Sequence, residues 1–166
     1  MKKLIAIMMT LALLCACAYA EAGDAFTGRI LTGTLPKEAE LTRSEENAEG
    51  YIEELAYGDY TTIALACFGT THGRDAYMDG YMPEDLIVCD DMPVICGEES
   101  THWLFTTGEN GDRVVNAYSF TADEHVYLFL VAVDTPAYDG CLDGDDTDYM
   151  SLIEGWIESL QLTAQE

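Results

Sequence analysis

Three runs near the C-terminus set the pattern: "THWLFTTG" (101–108), "RVVNAYSF" (113–120) and "HVYLFLVAV" (125–133) are rich in β-branched and aromatic residues. The turn-rich separators "ENGD" and "TADE" divide them, so they predict three neighbouring antiparallel strands, a meander. The third run is apolar on both faces and should be a central strand. Earlier, "FTGRILTG" (26–33) predicts one strand, and "YIEELAYGDYTTIALACFG" (51–69) predicts two, turning at Gly58-Asp59. Residues 37–50 are polar and charged, fitting a short helix capped by Ser44 or a plain connection. "THGRDAYMDGYMPEDL" lacks periodicity and predicts a long loop with one helical turn near Pro83. Finally, Met150, Ile153, Trp156, Ile157 and Leu160 recur at helical spacing. They predict an amphipathic helix across the sheet, with Gly155 explained by close packing on it. The fold class expected is α+β: an antiparallel sheet with its C-terminal meander packed by a C-terminal helix.

The N-terminus changes where this fold is placed. Lys2 and Lys3 precede an apolar stretch, Leu4 to Leu14, that is short for a membrane span, and Ala18-Tyr19-Ala20 fits a small-x-small cleavage site. Residues 1–20 are expected to be a signal peptide, leaving residues 21–166 as a single secreted domain. "LCAC" offers an alternative, a lipoprotein anchored through Cys17. Losing Lys2 and Lys3 leaves 5 Lys+Arg against 31 Asp+Glu, a formal charge of −26. Such a charge disfavours nucleic acid and anionic membrane as partners and favours cations or basic proteins.

Four cysteines remain beyond the leader: Cys67, Cys89, Cys96 and Cys141. An even number in an exported chain points to two disulfides, with three connectivities open. Cys89 and Cys96 bracket the short "DDMPVI", which suits a local bridge and leaves Cys67 for Cys141.

The opening strand "FTGRILTGTLP", the meander and the ending "LIEGWIESLQL" together resemble the PsbP-like superfamily of small exported domains. The resemblance implies an α/β sandwich used for binding, without an enzyme's active site. The cysteines and the extreme acidity depart from that group.

Candidate chemistry is sparse. "DGCLDGDDTD" (139–148) sets Asp143, Asp145, Thr147 and Glu154 at ligand positions of the EF-hand calcium template, but Asp148 stands where that template needs glycine. The same aspartates fit a helix N-terminus, where carboxylates cap the backbone and meet the macrodipole. "AYMDGYMPED" (76–85) suggests a partner surface of Tyr77, Met78, Tyr81 and Met82, since tyrosine and methionine are favoured at interfaces. Met78, Met82 and Met92 with a histidine also offer soft donors for copper, though a packed apolar loop explains them as well. His72, His102 and His125 spell no motif, and no nucleophile-elbow, zinc-protease, phosphate-loop or dinucleotide signature is present. The function expected is a secreted, non-catalytic binding domain for an extracellular protein or small ligand, with no cofactor. A calcium-dependent adhesion module and an extracellular hydrolase are the alternatives.

Overall fold

Side chains that alternate along a strand divide between its two faces, and β-sheets pack wherever both faces are apolar. The computed structural model describes residues 25–34, 39–80, 87–144 and 147–163. Within them, β1 (Ala25–Thr27), β2 (Leu31–Thr34) and β12 (Gln161–Leu162) form a small sheet, in the order β1-β2-β12. The main sheet is antiparallel and seven-stranded, in the order β3-β4-β5-β11-β10-β9-β6. Its strands are β3 (Glu40–Glu46), β4 (Gly50–Tyr57), β5 (Thr61–Phe68), β6 (Ile87–Val88), β9 (Thr101–Thr107), β10 (Arg113–Ala122) and β11 (His125–Asp134). A two-stranded excursion, β7 (Val94–Ile95) and β8 (Glu98–Glu99), lies between β6 and β9. Three helices complete the described elements: α1 (Thr71–Met78), α2 (Thr135–Tyr138) and α3 (Tyr149–Ser159). The protein is thus mostly antiparallel sheet with a few helices, an α+β fold.

β11 shows how the alternation builds the core. Tyr127, Phe129, Val131 and Val133 enter one apolar cluster, and Val126, Leu128, Leu130 and Ala132 enter another. The first cluster is closed by Leu31 of β2, Ile95 of β7, and Ile153, Trp156 and Ile157 of α3. Trp156 meets Tyr57 edge-on, with ring centroids 5.9 Å apart. The second cluster includes Met78 of α1, with Tyr77 packed against it.

Three elements and one glycine differ from the sequence expectations. Residues 26–33 are not one strand but parts of a hairpin, β1 pairing with β2 from Ala25↔Thr34 to Thr27↔Thr32. Gly28 permits that turn, because a Cβ there would strike Glu53 Oε2 and the Phe26 ring. The charged 37–50 stretch contains β3 rather than a helix, and every residue of β3 is exposed. Charged side chains on an edge strand discourage further pairing, and Arg43 ion-pairs with Glu45 and, at 3.0 Å, with Glu54. The loop expected after Gly69 begins with α1, whose N-cap Thr70 accepts a hydrogen bond from Gly73 N–H at 3.2 Å. Pro83 lies outside the described residues. Gly155 does not pack closely: a Cβ there would meet nothing within 4 Å. Among the described residues, no helix is long and apolar enough to cross a membrane.

Candidate functional site

β6 is only two residues long and pairs with β9 through Ile87↔Leu104 and Val88↔Trp103. The ladder continues one residue further, with Cys89 N–H donating to the His102 carbonyl at 3.0 Å. Cys89 therefore stands opposite His102, and Asp91, two residues on, closes the group. One Asp91 oxygen lies 2.9 Å from His102 Nδ1 and the other 3.0 Å. On the far side of the ring, His102 Nε2 donates to Asn116 Oδ1 at 3.1 Å. Asn116 is fully buried, and its Nδ2 finds no acceptor among the described residues. Tyr118, the register partner of His102 on β10, stacks on the imidazole with centroids 4.3 Å apart and planes 15° apart. His102 is thus clamped on three sides and only 5% exposed.

The donor atoms of Cys89, Asp91 and His102 lie within 4.8 Å of one another, so these three side chains could hold a metal. Burial pushes the Cys89 thiol up, and the charges of Asp91 and Asp90 push it the same way. Burial is also the main cause that raises the Tyr118 phenol, with Asp91 adding to it. Both groups hold their protons at neutral pH, so Cys89 is not an activated thiolate.

Apolar side chains near the cluster in the chain are exposed. Ile87, Val88, Met92 and Val94 are 59%, 59%, 63% and 60% exposed. Ile87 and Val88 form the outer strand β6, Met92 follows it and Val94 opens β7; Asp90 and Asp91 lie between them in the chain, and Glu98 and Glu99 follow in β8.

The residues singled out from sequence fall elsewhere. Asp145 lies outside the described residues, and Asp143 and Glu154 are exposed. Their neighbour Asp148 caps α3, its carboxylate accepting from Ser151 N–H at 3.2 Å and from Ser151 Oγ at 2.7 Å. Those hydrogen bonds hold the Asp148 carboxyl below the ordinary range. Of the expected partner surface, Tyr81 and Met82 lie outside the described residues. Met78 is 1% exposed and belongs to the core, and Tyr77 leans on Phe68 with centroids 5.8 Å apart. Met78 is thus taken up by the core, while Tyr77 stays half-buried.

The disulfides expected from the cysteine count are not formed: Cys67, Cys89, Cys96 and Cys141 are all free thiols. Cys89 turns to Asp91 and His102. Cys96 sits in the β7–β8 turn at φ +56°, and burial raises its thiol to about 11. Cys67 packs in the core beside Tyr127, whose phenol is raised to about 12, chiefly by burial. Cys141 is exposed and directs its Sγ–H toward the Asp139 carbonyl at 3.7 Å. Residues 1–24, with Cys17 and the expected signal peptide, are outside the described residues.

Sequence reasoning missed the Cys89–Asp91–His102 group. The one signal it had was the Cys-x-Asp spacing, which places two donors on one face of an extended chain.

Comparison with family models finds no match, and neither does comparison with curated proteins. Among solved structures the chain is similar to a protein from Bacteroides thetaiotaomicron VPI-5482, with a TM-score of 0.50 and 11% identity. The similarity covers 87% of this chain and 50% of that one, so the chain spans about half its neighbour's length. At this identity the likeness speaks for the fold alone.

Proposed function

We propose that this protein is a non-catalytic binding domain acting outside the cytoplasm, with the β6 edge and residues 87–94 as its contact surface. The observation that carries this reading is that four large apolar side chains within eight residues, Ile87 and Val88 of β6, Met92 after it and Val94 of β7, are each more than half exposed. Contiguous apolar exposure rimmed by polar groups is a mark of interaction sites, and an outer strand offers unpaired backbone groups to an added strand. The occupant that fits is an extended segment of a partner protein, with apolar side chains to cover these four and basic ones to meet the acids. Charge argues for the basic partner, since the chain carries 31 Asp+Glu against 7 Lys+Arg. The apolar stretch behind Lys2 and Lys3 supports the extracytoplasmic placement, and the β9-β10-β11 order with α3 behind it supports a PsbP-like sandwich as the finer fold. The protonated Cys89 thiol supports a binding role over thiol catalysis.

Panning displayed extended peptides against the immobilised protein tests the reading. The expected binders alternate apolar and basic residues, and Val88→Asp weakens them about tenfold or more, about 1.4 kcal/mol. Absence of enriched peptides, or binding indifferent to Val88→Asp in a folded variant, overturns it.

A further inference from the structure

Cys89, Asp91 and His102 lie where two chain segments of different exposure meet, and their chemistry is complementary to a cation rather than to a substrate. Two acceptors face the imidazole, Asn116 Oδ1 at 3.1 Å from Nε2 and the Asp91 carboxylate at 2.9 Å from Nδ1, so a metal ion would replace the Nδ1 proton and take both the freed lone pair and the carboxylate. The Cys89 sulfur lies within 4.8 Å of both donor atoms. Three donors therefore converge, two from the segment just after β6 and one from β9. We propose that Cys89, Asp91 and His102 bind a single divalent transition-metal ion of the zinc class.

The donor set selects the ion. A sulfur, an imidazole nitrogen and one carboxylate oxygen suit zinc or cobalt, whereas calcium takes oxygen ligands in larger number. The surroundings match what such a site needs. A ligating histidine donates its second N–H to a carbonyl or carboxylate, which fixes ring orientation, and Asn116 does this from a fully buried position. Tyr118 stacks on the ring face and prevents rotation. Asp91 is largely exposed while His102 is buried, so the ion enters from solvent past the carboxylate and keeps a fourth position for water or a partner's side chain. On binding, the Cys89 S–H and His102 Nδ1–H bonds break, S–metal and Nδ1–metal bonds form, and both protons leave to solvent.

The site shares Cys89 and Asp91 with the proposed contact surface, but its cobalt readout is separate from peptide binding, so either reading can fail without the other. Its test is cobalt(II) titration of the purified, reduced protein, followed by absorption. The expected result is a thiolate-to-cobalt charge-transfer band that saturates at one ion per chain and is displaced by zinc. Cys89→Ser, checked for fold by circular dichroism, should abolish the band. Asp91→Asn, at an exposed position that spares the fold, should retain the band but weaken cobalt binding about tenfold or more. Asp143→Asn should change nothing. A reduced protein without the band, a band that persists in Cys89→Ser, unchanged affinity in Asp91→Asn, or a site removed by Asp143→Asn each overturns the proposal.

Discussion

Gly155 sits on the exposed side of α3 with open space where a side chain would stand. Glycine in a helix interior costs about 1 kcal/mol relative to alanine, through backbone entropy alone. Gly155→Ala is therefore expected to stabilise the protein by up to about 1 kcal/mol, seen as a higher urea midpoint with unchanged slope; a loss of stability would show a hidden contact. Gly50 presents the opposite case. A Cβ there would run into the Cys67 carbonyl and the Phe68 ring, so the bare backbone is required where β4 meets the end of β5. Both residues look alike in sequence, and only the distance to the neighbouring strand separates them.

Elements were legible where their own side chains specify them. The apolar runs of β5, β9, β10 and β11, and the helical spacing in α3, each declare a period and a buried face. β3 and α1 declare neither. β3 contains a single apolar residue, Leu41, and is a strand because β4 pairs with it. α1 is held by Gly73 and Met78 at its buried positions, too few to print a pattern. The candidate site was hidden for a related reason. Cys89 meets His102 through a two-residue strand whose partner follows the β7–β8 excursion, and no local spacing announces that pairing. The dependence of α3 on its apolar stripe can be measured. Ile153 is fully buried between the helix and the first core cluster, so Ile153→Ala is expected to destabilise by about 2–5 kcal/mol. A cost below about 1 kcal/mol would mean that the helix is not packed as described.

At the scale of the whole molecule, charge dominates. Arg29, Arg43, Arg74 and Arg113 each have an acidic partner, with Arg29–Glu46 at 2.6 Å and Arg113–Asp134 at 3.3 Å. A formal charge of −24 is left to repel itself. Self-repulsion opposes compactness, and salt relieves it as the Debye length falls from about 30 Å at about 0.01 M to about 3 Å at about 1 M. The melting temperature should therefore rise with sodium chloride over that range; calorimetry showing a flat or falling trend would place the charges in compensating arrangements.

The two rims of the main sheet are unlike. β3 presents only exposed, mostly charged or polar side chains, and β6 presents valine and isoleucine. Among the described residues of the main sheet, β6 is therefore the rim that welcomes an added strand, and β3 the rim whose charges turn one away.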